Sequence, residues 1–207
     1  MLEQITVNTQ SSIRVAAGAV IRFDPYQIDG APHDADIVFL THAHYDHFSP
    51  EDLRRVMKPD TVLAAPASMR EELRQAGFML QKAFQVGESG DVSGYSVKAV
   101  ASYNLNKPFH PKSNGWLGYI VTVNGCRIYV AGDTDATPEA AAVQCDLALL
   151  PIGGTYTMNY KEAAALTRKI QPQTVIPTHY GSIVGKKEDG RYFADAVGSE
   201  IQVVLRL

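Results

Sequence analysis

At 207 residues, 45% hydrophobic and 20% charged, the chain has the composition of an ordinary globular protein, and residues 1–207 are expected to fold as one domain around a core of useful size. A formal net charge of -3 supplies no global basic field, which argues against a nucleic-acid partner, and no apolar stretch approaches the roughly 20 residues of a membrane span. The first residues lack the basic start and apolar run of a secretory leader, and Cys126 and Cys145 form no Cys-x-x-Cys pair, so two reduced thiols in a cytoplasmic setting are expected.

The first predicted strand is Val20–Asp24, closed by the turn signal Asp24-Pro25. The next, Asp36–Leu40, is a short apolar run of the kind that becomes a buried strand. It delivers Thr41-His42-Ala43-His44-Tyr45-Asp46-His47, in which three of the six histidines of the chain and one carboxylate fall within six residues. Neutral imidazole nitrogens suit zinc and Asp adds a hard oxygen, so this window reads as a metal site at a strand end. Ser49-Pro50-Glu51-Asp52 then has the N-cap, proline and acidic first turn of a helix start. Val62–Ala65 is a strand, and Ser68 with Glu71 forms a capping-box pattern for a helix that stops near Gly77.

From Lys82 to Val130 the pattern is strands and turns, with a strand at Ser96–Tyr103 and a hairpin turning at Asn124-Gly125. Asn104 ends the first of these strands, and His110 lies in a polar, proline-bounded loop between Lys107 and Lys112. Trp116 and Tyr119, at the start of a strand, are expected in the core. Asp133, in Gly132-Asp133-Thr134, follows the strand that ends at Val130-Ala131; alone, it reads equally well as a turn cap. Asp146–Leu150 is a buried strand, Asn159 with Glu162 opens a helix running to about Ile170, and Thr174–Pro177 is a strand leading to His179, which alone could equally be a packed histidine. Ile201–Leu205 closes the sheet. No internal repeat is visible.

Taken together, these segments resemble the metallo-β-lactamase superfamily of metal-dependent hydrolases. Thr41-His42-Ala43-His44-Tyr45-Asp46-His47 matches its His-x-His-x-Asp-His motif in full, Gly132-Asp133-Thr134 resembles its bridging-aspartate motif, and His179 its last metal-binding histidine. Phe109-His110-Pro111-Lys112 through Gly118-Tyr119, with Leu150-Pro151-Ile152-Gly153-Gly154-Thr155-Tyr156, is similar to a compact bacterial branch akin to the phosphorylated-ascorbate lactonases. The resemblance implies an α/β fold, a four-layer αββα sandwich with the metals at one edge. It implies His42 and His44 on a first metal, Asp46, His47 and His179 on a second, and Asp133 bridging. A third histidine on the first metal is expected near Asn104; the nearest is His110, favoured because imidazole binds zinc better than a carboxamide oxygen.

The expected cofactors are two Zn2+, with Mn2+ or Fe2+ as alternatives, and the expected chemistry is attack by a metal-bound hydroxide with Asp46 orienting it and taking its proton. Lys107 and Lys112, with Tyr156, are the expected substrate contacts, and the lysines point to a small anionic ester, lactone or phosphoester. A nuclease of the same superfamily and a non-catalytic metal-binding module are the competing readings. Members of the superfamily often dimerise, which leaves a homo-oligomer open.

Overall fold

Thirteen strands pair into two sheets, and within each sheet the strands follow chain order. The computed structural model describes residues 1–207. The first sheet holds β1 (Ile5–Val7), β2 (Ile13–Ala17), β3 (Ala19–Phe23), β4 (Ala35–Phe39), β5 (Met57–Pro66) and β6 (Lys82–Phe84). The second holds β7 (Ser89–Val92), β8 (Tyr95–Ala101), β9 (Leu117–Val123), β10 (Cys126–Val130), β11 (Leu147–Pro151), β12 (Thr174–Thr178) and β13 (Gln202–Val203). Each sheet begins with antiparallel strands and ends with parallel ones. Parallel neighbours need a crossover, and helices supply it everywhere but between β3 and β4: α1 (Pro50–Val56) and α2 (Arg70–Gln75) in the first half, α3 (Pro138–Ala141), α4 (Tyr160–Ile170) and α5 (Asp189–Val197) in the second.

Strand alternation sorts the apolar side chains into layers. Ile21, Phe23, Ile37 and Phe39 of the first sheet share one cluster with Leu117, Tyr119, Val121 and Val130 of the second, and this is the seam between the sheets. Val38, Leu40 and Leu63 point the other way and pack with Leu53 and Val56 of α1 and Leu73 of α2. Ala148, Leu150 and Val175 pack on the outer side of the second sheet with Ala163 and Leu166 of α4 and Phe193 of α5. Three apolar clusters between successive layers make an αββα sandwich.

Local signals act as read where the chemistry is complete. Ser49 caps α1 by accepting from the Asp52 amide, with Pro50 at the first turn. Asn159 and Glu162 form both halves of a capping box on α4. Asn124 and Gly125 both have positive φ, 50° and 79°, as a two-residue hairpin turn requires. The box expected from Ser68 and Glu71 does not form: Ser68 lies in a 3-10 turn, and the Glu71 carboxylate accepts from Arg74 and Gln75 instead. The short strands β1 and β2 and the helices α3 and α5 lie outside the sequence reading.

Candidate metal centre

Five loops at one edge of the sandwich carry the chemistry, and each leaves the C-terminal end of a strand. Asp24 follows β3, the segment 41–47 follows β4, Asp133 follows β10, and His179 follows β12 directly. His110 comes from the β8–β9 loop, which folds back so that the Asn104 amide donates to the His110 carbonyl at 2.8 Å. Glycine is needed beside Asp133. Gly132 has φ +64°, and a Cβ there would lie 3.1 Å from the Leu117 carbonyl oxygen and 3.1 Å from the Thr41 Cβ. Three non-glycine residues at the site, Asp24, His179 and Gln10, also hold positive φ (44°, 56° and 48°), a strained backbone of the kind that collects at functional sites.

The donor atoms form three overlapping groups, His42–His44–His110, His42–His47–Asp133 and Asp46–His47–His179, each with its atoms within 4.8 Å of one another. Asp133 stands between the outer two: Oδ1 is 3.3 Å from His47 Nε2, and Oδ2 is 3.4 Å from His110 Nε2 and 3.1 Å from His179 Nε2. Asp46 Oδ2 lies 3.2 Å from His179 Nε2 and 3.6 Å from His47 Nε2. His44 faces the first group through its other nitrogen, Nδ1, 3.1 Å from His42 Nε2.

Oxygen acceptors behind the imidazoles fix which nitrogen faces inward. His47 Nδ1 is 2.7 Å from Asp24 Oδ2, His110 Nδ1 is 3.1 Å from Asn104 Oδ1, and His42 Nδ1 is 2.9 Å from Thr41 Oγ1. Thr41 spends its own hydroxyl proton on Asp24 at 2.6 Å, so its oxygen is free to accept from His42. With protons on these three Nδ1 atoms, the three Nε2 lone pairs point at the centre of the cluster. His47 Nε2, His110 Nε2 and Asp133 Oδ1 are buried with no hydrogen-bond partner. Unpartnered buried nitrogens and oxygens converging in this way are costly in a bare protein and are what a cation would satisfy. The residues present therefore fit a metal.

Electrostatics differ from donor to donor. Burial alone would raise the Asp133 carboxyl, but the imidazoles of His179 and His47 outweigh it and hold Asp133 well below the usual carboxylate range. For His42 and His44 burial lowers the pKa, with neighbouring imidazoles adding to it, so both favour the neutral form that ligates. Burial pulls His47 down, but Asp133 and Asp24 pull harder and raise it well above the usual value. Asp46 is held below its usual value because the His179 hydrogen bond and the His47 charge exceed the burial penalty.

All seven sequence-predicted donors, His42, His44, Asp46, His47, His110, Asp133 and His179, are thus brought together. The residue weighed against His110, Asn104, stands behind it as its acceptor and also donates to the Tyr156 carbonyl at 2.9 Å. Lys107 and Lys112 are not brought to the site. Lys107 Nζ is 2.5 Å from Asp135, Lys112 Nζ is 2.6 Å from Glu139 and sits over the Tyr103 ring, and neither lines the cavity above the donors. Tyr156 does line it. Tyr119 is in the core as expected, but Trp116 is half-buried with its ring against His42 and His44, at 4.9 and 4.8 Å. Gln10 gave no sequence signal. It is fully buried between β1 and β2, its Nε2 3.5 Å from both Asp46 Oδ2 and His179 Nε2, its backbone carbonyl accepting from His179.

Known proteins share this arrangement of chain. A family model described as a β-lactamase superfamily domain matches residues 4–179. A metal-dependent hydrolase of Methanoregula boonei is 30% identical over 187 residues, covering 86% of this chain and 82% of its own. One from Lysinibacillus sphaericus is 27% identical over 226 residues, covering 97% and 96%. Among solved structures, a protein of Parabacteroides distasonis described as a metal-dependent hydrolase superposes with a TM-score of 0.83 at 30% identity, over 98% of this chain and 91% of that one. The metallo hydrolase Igni18 of Ignicoccus hospitalis gives 0.78 at 25% identity, over 97% and 93%.

Proposed function

Because this chain belongs to the metallo-β-lactamase superfamily and is a metal-dependent hydrolase of it, we propose that it holds two zinc ions and hydrolyses a small ester, lactone or phosphoester. The observation that carries the reading is the convergence of unpartnered, oriented nitrogens on Asp133. In this reading His42, His44 and His110 would hold one ion, Asp46, His47 and His179 would hold the other, and Asp133 would serve both. The donor set, imidazole and carboxylate without thiolate, suits zinc. When bound, the ions supply Lewis acidity at the substrate oxygen and lower the pKa of water beside them.

The remaining work falls to the protein. Asp24, Asn104 and Thr41 keep His47, His110 and His42 in the ligating tautomer. Asp46 lines the cavity, where its carboxylate would take the proton of the attacking water and return it to the leaving oxygen. The cavity, about 200 Å³, suits a small molecule, and its lining holds no Lys or Arg that would follow the backbone of a polynucleotide away from the centre. Free thiols at Cys126 and Cys145 accord with a cytoplasmic setting.

Metal content per chain, measured on wild type and His110→Ala, tests this. Two metals falling to one in the variant, with ester or lactone turnover lost, is the expected result. One metal or none in the wild type would sink the two-ion reading.

A further inference from the structure

Loop tips and glutamines are both ordinarily exposed. The tip between β1 and β2 is the reverse: Gln10, Ser11 and Ser12 are buried, and Gln10 is wholly inaccessible. Its carbonyl accepts from the His179 amide at 2.9 Å, a bond that joins the hairpin of the first sheet to the end of β12 in the second. Both residues of this bond hold positive φ, 48° and 56°. The side chain of Gln10 is oriented by Ser182, whose hydroxyl donates to Oε1 at 3.0 Å and lies 3.5 Å from Thr9 Oγ1. With Oε1 engaged, the Nε2 amide faces Asp46 Oδ2 and His179 Nε2, each 3.5 Å away, and these two atoms are 3.2 Å from each other. Both distances are longer than the roughly 2.9 Å of a full hydrogen bond, as fits one amide shared by two acceptors. His179 has no other support of this kind. The outer nitrogens of His42, His47 and His110 each meet an oxygen, but His179 Nδ1 is buried with no partner.

We propose that Gln10 is the positioning residue of one metal group alone: set by Ser182, it fixes Asp46 and His179 relative to each other and so governs the affinity of the ion they would share with His47, and not that of the ion at His42, His44 and His110. The inference rests on the two-ion reading above and gives the two positions separate control. Asp46 comes from the first half of the chain and His179 from the second, so their spacing is set only where the sheets meet, and Gln10 bridges them there with its amide and its carbonyl. The side chains of Gln10 and Ser182 bond to each other, to Thr9, to Asp46 and to His179, and make no hydrogen bond to His42, His44 or His110. Outer partners of this kind hold a ligand in its binding pose before the ion arrives, which is why their loss weakens metal binding without removing a ligand.

The single tryptophan of the chain makes the two positions separately readable. The Trp116 ring lies 4.9, 4.8 and 5.5 Å from the rings of His42, His44 and His110, and it has no ring contact with His47 or His179. Metal-free protein is titrated with Co2+: visible absorption follows both ions, and quenching of Trp116 fluorescence follows the ion beside it. Gln10→Met keeps the side-chain length and removes the amide, while Ser182→Ala releases the amide at its far end. In Gln10→Met the absorption step that has no matching quench is expected to weaken about 10- to 100-fold, with the quenching step unmoved. Ser182→Ala is expected to move the same step in the same direction by less, and it carries the test alone if Gln10→Met does not fold. Two wild-type steps that the variants move equally would mean that the buried tip serves the fold as a whole. Two steps that neither variant moves would mean that Gln10 positions nothing. Either result overturns the assignment of Gln10 and leaves the two-ion reading standing, whereas a single step in the wild type overturns that reading and the separate control with it.

Discussion

At the scale of single residues, the centre depends on side chains that never touch a cation. Asp24 is fully buried, accepts from the Thr41 amide at 2.8 Å and the Thr41 hydroxyl at 2.6 Å, and holds His47 by its outer nitrogen. Replacing such a partner of a ligating histidine typically costs about 10- to 100-fold in metal affinity. Asp24→Asn keeps the shape but offers His47 a weaker acceptor, so competition with a chromophoric chelator should show weaker zinc binding within that range; an unchanged affinity would remove Asp24 from this role. How legible these residues were follows from their spacing. The four donors at 42–47 are local, so the pattern itself announces them. His110 stands alone in a loop, and only the fold-back that pairs its carbonyl with the Asn104 amide brings it in. Gln10, in a Thr/Ser-rich turn, carries no periodicity or motif, and its burial beside Asp46 and His179 exists only once the sheets are closed. Lys107 and Lys112 misled because a cation beside a candidate ligand looks available until its carboxylate partner, about 28 residues further on in sequence, is seen.

At the scale of elements, caps were legible where both partners of the motif were free to meet. The Asn159–Glu162 box on α4 formed, whereas Glu71 found Arg74 one turn on, a partner of opposite charge at helical spacing. The four residues of α3 are too few to show a period, and β1 with three residues is similarly short. The β3–β4 connection has no crossover helix, and an ion pair secures it instead. Asp34, in that connection, accepts from Arg14 of β2 at 2.9 Å and from Arg22 of β3 at 2.8 and 3.1 Å. Burial would raise the Asp34 carboxyl, but hydrogen bonds and charge from Arg22 and Arg14 overcome it and the pKa falls below its unfolded value. The sign is that of a depressed acid: its contribution is whole above the unfolded pKa, near 3.8, and is lost as pH falls through the folded value. Asp34→Asn is therefore expected to lower stability at pH 7 modestly and to flatten the fall in stability below pH 4, as read from urea midpoints across pH. The same midpoint shift at pH 2 as at pH 7 would show that the ion pair contributes nothing.

At the scale of the whole molecule, the donors are divided between the two sheets. His42, His44, Asp46 and His47 come from the first half of the chain, and His110, Asp133 and His179 from the second. A cation held by both halves binds the folded state and not the separated one, and at free metal 100 times its Kd that linkage is worth about 2.7 kcal/mol. Stripping metal with a chelator should lower Tm, with the drop restored by zinc; a Tm indifferent to chelation would mean that the cluster does not join the halves through metal. The strand and helix pattern alone suggested a layered α/β fold, and the αββα layer order came only with the family resemblance that the motifs carry; the pairing of the short strands was not legible, because pairing depends on partners far away in sequence.

Each sheet is continuous in sequence, β1–β6 then β7–β13, and the chain passes from one to the other once, through residues 85–88. The molecule is therefore two consecutive messages with a single comma, and Val86 and Gly87 at the comma are exposed. A nick there would yield one fragment with four donors and another with three, neither able to assemble the centre. Recovery of bound zinc on mixing would then count reassembled pairs, making the metal a reporter of whether two halves of one gene product have found each other.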